Sequence, residues 1–148
     1  MDDDEDDILL TRKAFADSGL ANPIFAVRDG EEAVLYLEGF GPFANRAEFP
    51  LPQMVLLDLK MPKINGFRVL KWVRAHEHFK TLPIVVFSNS TQERDVTKAY
   101  ELGANSFLVK PGDIGTLRDM MKSIASFWLH HNHGPALKRR PRWGRAKE

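Results

Sequence analysis

Apolar residues along this chain fall in short continuous runs separated by stretches of helical spacing. Residues 54–57, 84–87 and 107–109 are unbroken apolar runs ending at Asp58, Ser88 and Lys110, the pattern of strands buried on both faces. Residues 24–27 form another apolar run, bounded by Pro23 and by Asp29-Gly30, and read as a further strand. Between the runs the spacing is helical. Ile8, Leu9, Ala14 and Phe15 mark a first helix stopped by Gly19, and residues 31–38 a second. Phe67, Leu70 and Val73 mark a third, residues 93–102 a fourth that stops at Gly103, and Leu117, Met121, Ile124 and Trp128 the stripe of a last one. Residues 39–53 hold Gly41, Pro42, Asn45, Pro50 and Pro52, so they predict a long loop. Strands alternating with helices predict an α/β fold, a parallel sheet covered on both sides.

Ligands of such sheets bind at the carboxyl ends of the strands. That rule gathers Asp58, Ser88 and Lys110, each the first polar residue after a buried run. Singly, Asp58 fits a turn, Ser88 a helix cap and Lys110 a surface charge, and the acidic run Asp2 to Asp7 fits a solvated helix start. Their common location is what those readings leave unexplained. A carboxylate, a hydroxyl and an ammonium at one site suit phosphoryl transfer to the carboxylate, with a hard divalent cation held by oxygen ligands to neutralise charge. Asp2 and Asp3 can supply such ligands.

Composition sets the bounds. The 148 residues, 43% of them hydrophobic, suffice for one domain and a tail. From His130 onward Lys138, Arg139, Arg140, Arg142, Arg145 and Lys147 face Glu148 alone, so a net charge of +1 conceals an acidic body and a basic tail. Residues 2–129 are expected to form the domain, and residues 130–148 a disordered, solubilising tail without a stacking platform for nucleic acid. The chain has no cysteine, an acidic start unlike a signal peptide and no apolar run of membrane-spanning length, so the expected location is the cytoplasm, with no membrane partner. Trp72 and Trp128 read as core, His76 and His78 as loop residues, and His130, His131 and His133 as surface histidines that fit no ligand motif.

Asp58-Leu59-Lys60-Met61-Pro62 followed by Asn65-Gly66, Lys110-Pro111, Ser88 and the acidic pair Asp2-Asp3 together resemble the receiver domains of two-component response regulators. Ile8-Leu9-Leu10-Thr11-Arg12, the long loop and Ser126-Phe127-Trp128-Leu129 are most similar to stand-alone regulators of the cyanobacterial-phytochrome type. The resemblance implies a flavodoxin-like, doubly wound sheet of order 2-1-3-4-5. It implies Mg²⁺ held by Asp2, Asp3, Asp58 and the main-chain carbonyl of Lys60, with a sensor histidine kinase, a phytochrome among the candidates, phosphorylating Asp58. Lys110 and Ser88 would bind the phosphoryl oxygens, and Ser88 and Phe107 would act as the switch. Asn89 stands where many receivers carry a small residue such as Ala, which bears on phosphoryl lifetime. The implied chain is not an enzyme beyond its own phosphorylation and dephosphorylation, has no DNA-binding domain, and signals through another protein or a homodimer. One alternative is a pseudo-receiver, a binding module never phosphorylated, whose usual mark is a lost acidic or Lys residue; none is lost here. An aspartyl-phosphate phosphatase would carry a second Asp two residues after the nucleophile, where Lys60 stands. Only Met1 precedes Asp2, so the first strand of the expected order is missing from the sequence as it stands.

Overall fold

A computed structural model describes residues 1–137. Its parallel sheet has β1 (Val55–Leu57), β2 (Ile84–Ser88) and β3 (Ser106–Val109) in that spatial order. The register sets Leu57 opposite Val86 and Ser88 opposite Val109, so the strand ends that carry the polar residues lie side by side. β2 is central and buried at every position. By contrast, β3 is half-exposed, which corrects the reading of residues 107–109 as a run buried on both faces. It lies at one edge of the sheet, with no strand beyond it among the described residues.

Five helices cover the sheet: α1 (Glu5–Asp17), α2 (Gly30–Glu38), α3 (Gly66–Ala75), α4 (Glu93–Glu101) and α5 (Ile114–Ala125). Their starts follow from side-chain caps. Asp4, Asp29, Asn65 and Asp113 each accept a backbone N–H from the first turn of the helix that follows. Gly39 ends α2 at φ 73° and accounts for the sharp stop after Glu38. The core has two parts. The larger gathers Leu37, Leu57, Val69, Leu70, Val73, Ile84 and Val86 between the sheet and α2 and α3. The smaller packs Ala14 and Phe15 of α1 against Leu117, Met121 and Ile124 of α5.

Two further expectations meet a different structure. Residues 24–27 form no ladder and are not a strand, because the neighbour that would pair with them is absent along most of their length. Among the described residues, Met1 and Asp2 bridge the space between them and β1. Asp2 N–H donates to the Val27 carbonyl at 3.0 Å, Asp58 N–H to the Met1 carbonyl at 3.0 Å, and the Met1 ammonium to the Leu56 carbonyl at 2.9 Å. Beyond Met1 the same space continues as an apolar groove of about 450 Å³ lined by Ile24, Val27, Met54, Leu56 and Phe87. At the other end, α5 runs into a π-helical turn, Ser126–His131, so the boundary drawn at Leu129 falls inside that turn. Leu137 packs against the larger core, and the basic residues of the tail lie outside the described residues. Among the described residues no helix is long and apolar enough to cross a membrane.

Candidate active site

Asp58 follows β1 directly and is 7% exposed. Burial pushes its carboxyl above the ordinary carboxylate value, the Lys110 ammonium pulls it back, and Asp2 raises it again. The result is a carboxylate more basic than a surface aspartate. The turn after it is held by a close approach of backbone to backbone. A Cβ on Gly66 would stand 2.2 Å from the Asp58 carbonyl oxygen and 2.8 Å from Leu59 Cα, so Asn65-Gly66 lets α3 begin against the acceptor loop. Gly66→Ala is therefore expected to destabilise the fold by about 3 kcal/mol, the upper end of overpacking penalties, and to displace Asp58. Urea denaturation measures it; a loss under about 0.5 kcal/mol, the size of an ordinary surface change, would show that the loop yields freely.

Asp2 and Asp3 sit beside Asp58. One carboxylate oxygen from each of the three lies within 4.8 Å of the others, close enough for all three to ligate one cation. Asp3 is exposed, whereas Asp2 is 9% exposed and its Oδ1 accepts the Asp4 N–H at 3.1 Å. This donor set of hard oxygens fits Mg²⁺ or a similar ion. Lys60 is exposed, and its backbone N–H and that of Leu59 lower the Asp58 carboxyl slightly.

Lys110 follows β3, and its N–H donates to the Ser88 carbonyl at 2.9 Å, which ties the ends of β2 and β3 together. Its Nζ stands 2.7 Å from Asp2 Oδ2, 2.7 Å from Asp7 Oδ2 and 3.5 Å from Asp58 Oδ2. The ammonium expected to bind a phosphoryl oxygen is thus already paired with carboxylates. Burial opposes its charge, but the hydrogen bonds to Asp2 and Asp7 outweigh that, and Lys110 is held above the ordinary lysine value. Asp7, in the first turn of α1, went unnoticed in the sequence because acidic residues at a helix start are explained by the helix dipole alone. Its offset from Asp2, with the Asp4 cap between them, is the signal that could have found it.

Ser88 is 1% exposed at the end of β2, where its Oγ accepts the Ser90 N–H at 3.2 Å and keeps its own hydrogen for another acceptor. Phe107, opposite Val86 on β3, is half-buried against the larger core, and its N–H donates to the hydroxyl of exposed Tyr100 at 3.2 Å. Asn89 is exposed. The fold thus brings Asp2, Asp3, Asp58, Ser88 and Lys110 to one end of the sheet and leaves Phe107 farther down the edge strand. The histidines lie elsewhere. His76 and His78 fall in the turn after α3, as expected of loop residues, and His76 is packed there with its Nε2 2.9 Å from Glu38 Oε1.

A family model for the response regulator receiver domain matches residues 1–122. Response regulator Rcp1 of Synechocystis is 33% identical over 87% of this chain and 86% of its own length. A structure of its Mn²⁺-bound form superposes with a TM-score of 0.81, covering 92% of this chain and 96% of that one. The phosphorylated cyanobacterial phytochrome response regulator RcpA is 34% identical, with a TM-score of 0.83 and coverage of 92% and 95%. A relative in Methanothrix harundinacea, described as "Probable methanogenesis regulatory protein FilR2", is 35% identical over 91% of this chain and 84% of its own length. The parallel sheet with its surrounding helices is the flavodoxin-like arrangement of these proteins. The chain belongs to the response regulator receiver family, close to the cyanobacterial phytochrome regulators Rcp1 and RcpA.

Proposed function

We propose that this chain is a single-domain response regulator that accepts a phosphoryl group on Asp58 from a sensor histidine kinase and signals by protein–protein contact. The observation that supports it best is the cluster of the Asp2, Asp3 and Asp58 carboxylates at the strand ends, with the Lys110 ammonium beside Asp2 and Asp58. An Asp58 carboxylate oxygen forms a bond to phosphorus while the bond from phosphorus to the kinase imidazole nitrogen breaks. The imidazole leaves with the electron pair and takes up a proton, and Asp58 is left as an acyl phosphate. Burial helps because a desolvated, basic carboxylate is the better nucleophile. Lys110 neutralises one phosphoryl oxygen as a point charge, and Ser88 Oγ donates its hydrogen to another. Asp2, Asp3, Asp58 and the Lys60 carbonyl would hold Mg²⁺, which when bound neutralises charge on the phosphoryl group.

Ser88 and Phe107 form the switch in this reading: the hydroxyl moves to the phosphoryl group and the aromatic ring follows into the space it leaves. The half-buried position of Phe107 on the edge strand leaves it room to move. The partner is proposed to be a phytochrome-type kinase, by likeness to RcpA. Metal dependence tests the scheme. Incubation with acetyl phosphate is expected to add one phosphoryl group in Mg²⁺ and none in excess chelator; equal labelling in both would remove the metal from the account.

A further inference from the structure

Lys110 has three N–H donors, and its side chain is 6% exposed, so few of them reach water. Two are engaged at 2.7 Å by Asp2 and Asp7, and the third faces Asp58 at 3.5 Å. Both short hydrogen bonds of the ammonium go to carboxylates, so an incoming phosphoryl oxygen competes with them for its charge. Asp2 is the partner shared with the metal cluster, and Asp7 is not in that cluster. When Asp2 turns to a cation, Asp7 is the carboxylate that remains to compete with the phosphoryl group. Asp7 also lies on α1, whose Ala14 and Phe15 pack on Leu117, Met121 and Ile124 of α5. Ser18 at the end of α1 donates to the Ala14 carbonyl at 2.7 Å and reaches the Arg118 carbonyl of α5 at 3.5 Å.

We propose that Asp7 is a positioning residue: it holds Lys110 before phosphorylation, and transfer of the ammonium to the phosphoryl group releases α1 and alters its packing on α5. This rests on Asp58 being the phosphoryl acceptor. It adds a second route by which the event at the strand ends reaches a helical surface, one that leaves by the first helix instead of by the edge strand. Asp7 acts through Lys110 and does not itself touch the phosphoryl group.

The test uses the full chain and the variants D7N, D7E, K110M and D7N/K110M. In urea denaturation without metal or donor, the shifts of D7N and K110M are expected to be non-additive, because each removes the same pair. Additive shifts would overturn the pair, whatever phosphorylation does. With acetyl phosphate and Mg²⁺, D7N is expected to be phosphorylated faster than wild type, on the order of tenfold, the size of one charge-assisted hydrogen bond no longer broken. D7E, which keeps the charge, is expected to stay near wild type. Hydrogen exchange of the α1 amides is expected to quicken on phosphorylation of wild type, and to be fast before and after phosphorylation in D7N. A D7N rate equal to or below wild type, or α1 exchange in wild type that phosphorylation does not change, would overturn the proposal. Absence of any label on wild type in the presence of non-additive shifts would instead reject Asp58 as acceptor, and the proposal with it.

Discussion

Four apolar residues, alternating Ile, Leu and Val, placed ahead of Met1 are expected to raise the melting temperature by about 10 °C or more. The groove between residues 24–27 and β1 has the lining of a strand site, and among the described residues Met1 and Asp2 bridge its last place. A strand there would pair on both sides and turn residues 24–27 from an extended segment into part of the sheet. Burial of four large apolar side chains is worth on the order of 6–12 kcal/mol as an upper estimate, comparable with a whole domain's stability of roughly 5–15 kcal/mol. The same extension removes a pH dependence. Burial depresses the Met1 ammonium from 8.0 to about 6, against the opposing pull of Asp2 and Asp58. A base depressed by folding binds its proton better in the unfolded chain. In the chain that begins at Met1, stability therefore rises with pH between about 6 and 8, by at most about 3 kcal/mol, and is flat above that window. With a peptide N–H in place of the amine the slope should vanish. Mg²⁺ affinity should rise as well, since Asp2 and Asp3 would follow an anchored strand. Thermal melts at pH 6 and pH 8 of the two chains decide this; equal melting temperatures would show that the groove is not a strand site.

Lys110→Ala is the second large effect. The ammonium holds Asp2, one of the three clustered carboxylates, so its removal is expected to strengthen Mg²⁺ binding, on the order of tenfold, by deleting a competing cation. The same variant should lose stability by about 3 kcal/mol in the absence of metal, because Asp2 and Asp58 are left buried without their counter-ion. Phosphorylation, where it still occurs, should no longer produce the structural response of wild type, since nothing remains to link the phosphoryl group to the end of β3. Calorimetric Mg²⁺ titration and urea denaturation measure the first two. Weaker metal binding in the variant would mean that Lys110 orders the acidic cluster instead of competing for it.

Much of this fold is legible in the sequence where local and tertiary signals agree. β1 and β2 were found because strands buried on both faces have no polar alternation to blur them, and Asp58 and Ser88 stand out as the polar residues that end such runs. The helices were legible through their apolar spacing, whereas their starts are set by Asp4, Asp29, Asn65 and Asp113, whose side chains cap them. Residues 24–27 have the composition of a strand, yet pairing is a property of the neighbour and not of the segment. β3 reads as apolar as β2 in sequence, yet it lies at an edge of the sheet and is half-exposed. At the site, Asp2, Asp3 and Asp58 were legible by residue type and spacing. The Asp7 to Lys110 pair was not, because it joins residues 103 apart in sequence through the turn of one helix. His76 facing Glu38 is hidden for the same reason.

Intact mass measurement after incubation with acetyl phosphate and Mg²⁺ tests the central claim most directly. Wild type is expected to gain one phosphoryl group, and Asp58→Asn none, because an amide is a poor nucleophile and carries no charge to share with Lys110 and a metal. The same single gain in Asp58→Asn would place the acceptor elsewhere and contradict the account.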